Sequence, residues 1–209
     1  MPSRTKRTYS SASRDARAKQ TRSSILESAK KLFQSEGFEM VTIEKIAQAA
    51  QVSVPTIYAL FQSKRGIVRA VLDEALSSDQ FYTLVEITRG DIPAHKRLAM
   101  SAKIARQIYD AEREQMEIFR GASVLSPELK ELEREREERR YIRQEETIKR
   151  LAQEKSLKKG LGESKARDIL WALTGRDMYR LFVVERGWSS DEYEEWLAQL
   201  LSKTLLEAE

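Results

Sequence analysis

Apolar residues recur at helical spacing along almost the whole chain. Ile25, Ala29, Leu32 and Phe33 fall at i, i+4, i+7 and i+8, one face of a helix that ends near Gly37. Ile43, Ile46, Ala47 and Ala50 mark a short second helix, with Thr42 as a hydroxyl cap and Glu44 in the first turn. Gln51-Val52-Ser53 interrupts that pattern. Ser53 is the next cap candidate, and Pro55 is tolerated only in the first turn of a third helix, whose inward residues are Ile57 and Phe61. Ser63 then opens a fourth helix through Ile67, Val68, Val71 and Leu72.

The later segments are longer. Pro93 to Ala111 reads as one helix, with Met116, Phe119 and Val124 in another close behind, and Ser126-Pro127-Glu128 as a helix start. Between Leu132 and Tyr141 no residue is apolar, so the charged run Glu131 to Arg140 is expected to be solvated on all sides and tied by (i, i+4) pairs. The glycines of segment 158–162 end that helix, and Ser164 starts the next. From Ile169 to Val183 apolar residues cover nearly the whole circumference of a helix, the pattern of one buried all round. Tyr193, Trp196, Leu197, Leu200, Leu201 and Leu205 form a single stripe on the terminal helix. No strand-like alternation and no internal repeat interrupts this reading, which predicts an all-α chain.

Composition narrows the function. Cysteine is absent from the 209 residues and His95 is the single histidine, which excludes disulfides, thiolate metal sites, a cysteine nucleophile and a two-histidine metal motif. Acidic runs lie on faces expected to be exposed, so neither catalytic residues nor a cofactor or metal are assigned. The longest apolar stretches have five residues, against about 20 for a membrane span, and no apolar segment follows the basic N-terminus. The expected compartment is the cytoplasm, without a membrane partner.

Charge is uneven. The net charge is +4, but residues 1–22 alone hold seven basic side chains against Asp15, a net of +6. A basic end is the distribution expected where a chain meets a polyanion. The first fourteen residues are almost devoid of apolar side chains and are expected to be a disordered basic tail.

Thr42 to Lys64 combines a short helix, a brief turn, a second short helix and a capped third, the spacing of a helix-turn-helix. A generic helical hairpin shares that spacing, so the outward residues of the second helix carry the distinction. Thr56 and Tyr58 offer hydroxyls to phosphate oxygens, and Val54 and Pro55 offer apolar contact to a thymine methyl. Lys64 stands in the first turn of the following helix, where free N–H groups already favour an anion, and is assigned to phosphate.

The stretch Val41-Thr42-Ile43-Glu44-Lys45-Ile46-Ala47, followed by Val52 to Lys64, resembles the N-terminal domain of the tetracycline-repressor (TetR) family; Ile25, Ala29, Leu32, Phe33, Gly37 and Phe38 match its first helix. Trp171 to Leu197 is similar to members of the family, less specifically. The resemblance implies a dimeric repressor in which a three-helix DNA-binding domain, residues 15–65, precedes a larger domain, residues 66–209, that binds a small molecule and dimerises. It implies DNA contacts at Thr42, Val54, Pro55, Thr56, Tyr58 and Lys64, to which the cap Ser53 is added. Three positions depart from the pattern. Gln51 replaces the usual turn glycine, and a left-handed residue there costs about 1–2 kcal/mol. Ala59 and Leu60 stand where polar or aromatic side chains often meet DNA.

In the larger domain Tyr109, Met116, Phe119, Trp171 and Met178 combine bulk with adaptable packing and are the candidate ligand pocket, expected to hold about 300–1,000 Å³. Leu173, Phe182, Trp196, Leu197, Leu200 and Leu201 exceed what one subunit is expected to cover and are assigned to a two-fold four-helix contact. The expected partners are operator DNA with pseudo-palindromic symmetry, a small-molecule effector that releases it, and a second copy of the chain. The alternative is a dimeric DNA-binding regulator without an effector, marked by a closed core. An enzyme would need converging carboxylates or a metal, and a protein-binding scaffold a large exposed apolar face outside the dimer contact.

Overall fold

The computed structural model describes the backbone of residues 9–74 and 79–207, and the side chains of residues 14–74, 81–113 and 126–207. Among the described residues ten α-helices follow one another: α1 Tyr9–Glu36, α2 Ile43–Ala49, α3 Val54–Phe61, α4 Lys64–Asp73, α5 Asp79–Arg89, α6 Ala94–Leu125, α7 Pro127–Gln153, α8 Glu163–Leu173, α9 Arg176–Tyr179 and α10 Ser190–Leu205. No strand occurs among the described residues, and the all-α expectation holds. No described helix is long and apolar enough to cross a membrane.

The chain divides into two compact units, one reaching Val71 and adding Glu117–Leu129, the other built from Leu72–Met116 and Lys130–Glu209. The first boundary therefore falls within α4 rather than at residue 65, because Ile67, Val68 and Val71 are buried as part of the first unit. Residues 9–14, assigned to a disordered tail, are helical. They continue the helix N-terminally from residues 14–20, where Ala, Arg and Lys are strong helix formers even without an apolar face and every side chain is exposed. The rest of that tail, residues 1–8, lies outside the described residues.

Three further expectations are corrected. Helix α6 runs unbroken through Met116 and Phe119, since no glycine or proline interrupts it before Gly121. The charged run on α7 does have an inner face: the side chains of Arg136 and Arg140 are 10% and 11% exposed. Arg136 pairs with Glu112 of α6, while Arg140 donates to Trp171 O at 2.7 Å and Thr174 Oγ1 at 3.1 Å. The stretch 169–183 is not one helix. Thr174 Oγ1 donates back to Leu170 O (2.6 Å), Gly175 takes an extended conformation and restarts the chain as α9, and α9 passes into a π-helical segment, Arg180–Glu185.

The core of the larger unit gathers Leu98 and Ala102 of α6, Ile148 and Leu151 of α7, Leu170, Tyr179, and the α10 row Tyr193, Leu197, Leu201 and Leu205. Leu197 and Leu201 are wholly buried within the chain, so the expectation that they form a dimer contact is wrong; the (i, i+4) row they occupy faces the protomer's own core. Arg97 is equally buried. Its guanidinium donates to the carbonyls of Thr88, Gly90 and Ile92 and to Glu154 Oε1, fastening the α5–α6 loop.

Candidate nucleic-acid interface

Two caps and one left-handed residue set the helix-turn-helix. Thr42 Oγ1 accepts from Lys45 N (3.3 Å) at the start of α2, and Ser53 Oγ accepts from Thr56 N (3.3 Å) at the start of α3. Between them Gln51 has φ 55°, with Gln51 N donating to Gln48 O and Val52 N to Ala47 O, a Schellman ending. The strain expected from a non-glycine residue at this turn is therefore present.

Ile57 and Phe61 are buried under α3, and the Arg22 guanidinium of α1 lies 4.8 Å from the Phe61 ring centroid. Pro55, Tyr58, Ala59 and Gln62 consequently form an outward ridge, all exposed. Val54 and Thr56 are half-buried on its flanks, and the Thr56 hydroxyl shares a hydrogen bond with Ser53 Oγ at 2.8 Å. Leu60 is 39% exposed beside the ridge. A ridge with one phenol, an amide and small apolar surfaces fits groove contact without supplying a charge.

The sequence reading missed how α3 is held at its far end. Ser63 Oγ accepts from Gly66 N (3.1 Å), and a Cβ at position 66 would fall on the Phe61 carbonyl oxygen. Only glycine permits α4 to leave α3 so closely. The signal was a lone glycine inside a helical pattern.

Lys64 is placed differently from its assignment. Its ammonium donates to Phe38 O (2.8 Å) and Val41 O (3.0 Å) and lies 4.0 Å from the Phe38 ring centroid. Two of its three donors thus close the α1–α2 loop, which also explains a lysine in the first turn of a helix without a phosphate. Lys45 secures the same loop through Glu36 and Met40 O (3.2 Å).

The larger unit contains a cavity of about 70 Å³ walled by α5, α6 and α7, with Val85, Ile104, Ala105 and Ile108 as its apolar lining. A second cavity of about 60 Å³ shares Ile108, Tyr109, Arg140 and Arg143 with it. Tyr109 is the one proposed pocket residue found there; burial pushes its phenol upward, and the hydroxyl donates to Thr174 O at 3.1 Å. Trp171 and Met178 do not line either cavity. The indole packs against Arg140 and Tyr141, and Met178 packs on the core. Met116 and Phe119 fall on side chains outside those described. Both cavities are smaller than expected, and arginine side chains make up much of the lining of the second.

Of the assigned contact residues, Leu173, Phe182, Trp196 and Leu200 are half-buried at the edge of the core. Phe182 stacks on Trp188 and Trp196 with ring centroids 4.7 and 4.4 Å away, and Leu181 and Val184 beside them are 41% and 37% exposed. His95 is exposed in the first turn of α6, and no group of acidic or histidine side chains that could hold a metal occurs among the described residues.

The pattern that defines bacterial regulatory proteins of the tetR family matches residues 25–71. The A-factor receptor protein of Streptomyces griseus is 37% identical over 68 residues, 32% of this chain and 25% of the relative. The HTH-type transcriptional repressor BdcR of Escherichia coli (strain K12) is 31% identical over 84 residues, 40% of this chain and 42% of the relative. These matches thus span less than half of each curated relative. The fold extends further: NalD, the secondary repressor of the MexAB-OprM multidrug efflux pump in Pseudomonas aeruginosa, aligns over 93% of this chain and 100% of its own with TM-score 0.69 and 21% identity. The SmeT–triclosan complex aligns over 90% and 92% with TM-score 0.70 and 20% identity. Residues 25–71, which hold the helix-turn-helix, thus resemble the bacterial regulatory proteins of the tetR family, and the chain as a whole shares the fold of these solved structures.

Proposed function

We propose that the chain is a dimeric repressor that holds a pseudo-palindromic operator through α3 and is released by a small-molecule effector. The outward ridge Pro55-Tyr58-Ala59-Gln62, fixed between two caps and the Gly66 crossing, carries this reading. Thr42, Ser53, Thr56 and Tyr58 supply hydroxyls to phosphate oxygens, while Val54 and Pro55 meet base edges. Dimerisation uses Phe182, Trp188, Trp196 and Leu200 with the exposed Leu181 and Val184, and Leu173 at the margin. An aromatic cluster left partly open at the surface favours a self-complementary two-fold contact. The cavities beside Tyr109 and the solved relatives in complex with triclosan and with choline support an effector.

Selection of bound DNA from a random pool tests the reading. The expected result is a two-fold sequence with half-sites about 34–36 Å apart or a multiple of that. Tyr58→Phe should weaken binding without changing base preference, whereas Pro55→Ala should change it. An asymmetric selected site, or a monomer at micromolar concentration, would overturn the proposal.

A further inference from the structure

Arginines crowd the paired cavities. Arg136, Arg139, Arg140, Arg143 and Arg176 all line the smaller one, opposed among the described residues by Glu137. Most of them are matched elsewhere. Arg136 and Arg176 share Glu112, and Arg140 donates to Glu137 Oε2 from Nη2 (2.6 Å) and Nε (3.1 Å). Arg139 stands 3.6 Å from Asp73. Arg89, at the rim of the larger cavity, pairs with Glu86, and Glu146 at the same rim pairs with Arg150.

Arg143 is the exception. Among the described residues it makes no ion pair, and its guanidinium rests 5.6 Å from the Phe81 ring centroid. It is half-buried and lines both cavities beside Arg140, with Arg136 and Arg139 in the smaller one. Burial first, and the like charges of Arg140, Arg136 and Arg139 with it, press its affinity for the proton downward, against an opposing contribution from Tyr109. A half-buried cation facing repulsion rather than a carboxylate is costly, and an anion entering the cavity would relieve it. Around that charge the wall is apolar, with Val85, Ile104, Ala105 and Ile108, and Thr147 is the nearby hydroxyl on the Arg143 helix.

We infer that the effector is a small carboxylate with an apolar body, its anionic end on Arg143 and its apolar end against α5 and α6. The inference rests on the effector-release reading only for its name: the binding step stands on the cavity alone. The planar fork of Arg143 suits a carboxylate bidentately, and the walls admit an aromatic or short acyl group. Surrounding arginines raise the local potential and favour any anion over its neutral isostere.

The test compares benzoate with benzamide and hexanoate with hexanamide, titrated calorimetrically into the full chain at pH 7.5 and constant ionic strength. Each carboxylate should bind at least about tenfold more tightly than its amide. Arg143→Gln should erase that preference while leaving amide affinity within about twofold, and Arg143→Lys should retain part of it. Amides that bind as well as carboxylates, carboxylates that do not bind, or a preference surviving in Arg143→Gln would each overturn the assignment. If Arg143→Gln fails to fold, the carboxylate–amide comparison in the unaltered chain decides alone. A parallel titration against the selected DNA separates the two readings. Carboxylates that bind yet leave DNA in place keep the cavity assignment and refute effector release.

Discussion

The N-terminal helix-turn-helix and the larger unit hold their shapes by contacts of different reach. Around α2 and α3 the defining bonds span three to five residues, Thr42 to Lys45, Ser53 to Thr56, Val52 to Ala47 and Ser63 to Gly66, with the Lys64 clasp on Phe38 O and Val41 O the long-range exception. In the larger unit they span tens. Arg97 reaches Glu154, Arg140 reaches Trp171, and Tyr109 reaches Thr174. The difference teaches how to read cations. Lys64 and Arg97 are both occupied by carbonyls of the chain, so neither is available for an outside anion merely because it is positive. Donor accounting, rather than charge, separates them from Arg143.

Five variants break or sharpen this comparison. The largest effect is expected from Leu197→Ala, which opens a hole in the long-range core and should cost about 2–5 kcal/mol in urea unfolding. Leu200→Glu should instead separate the dimer in sedimentation while the protomer keeps its helicity. Equal effects of the two would return Leu197 to the interface. Lys64→Met removes the clasp on two loop carbonyls and should cost about 1–3 kcal/mol. Its salt slope of DNA binding should stay unchanged; a slope smaller by about 1, with stability intact, would show Lys64 on phosphate after all. Gln51→Gly relieves the left-handed residue and should raise stability by about 1 kcal/mol, read as a higher midpoint in the same unfolding assay.

The smallest effect concerns a local cap inside the larger unit. Glu192 closes a capping box with Ser189, whose N–H and hydroxyl hold its carboxyl below the usual range. A folded value lowered in this way contributes stability above the unfolded value and loses it as pH falls through the folded one. Glu192→Gln should flatten that part of the acid unfolding curve, and an unaltered curve would mean the box is not formed in solution.

The same contrast in reach explains what was legible. Thr42, Ser53 and Ser63 announce themselves because the groups they cap lie three residues away, and the strain at Gln51 follows from the turn alone. The inward positions of α1 to α4 follow from periodicity. The intrachain role of Lys64 is not legible in the sequence because its acceptors, Phe38 O and Val41 O, lie 26 and 23 residues back. The arginine face of α7 was invisible for the same reason. Periodicity marks apolar burial, and an arginine buried against a distant carboxylate carries no periodic sign. Leu197 was recognised as buried, but a stripe on a helix does not say whose core covers it.

The π-helical segment Arg180–Glu185 has a consequence for how this chain tolerates changes of length. A π-turn accommodates about one residue more than an α-turn, so it amounts to a single-residue insertion absorbed by a wider coil. Val183 faces inward there, while Leu181 and Val184 face outward. Deleting one residue inside the segment should let the coil tighten to ordinary winding and keep α9 and α10 in register. The same deletion within α10 would rotate Tyr193, Leu197 and Leu201 out of the core. A family of sequences could therefore gain or lose a residue at this bend, where elsewhere in the unit the helix would have to be rebuilt.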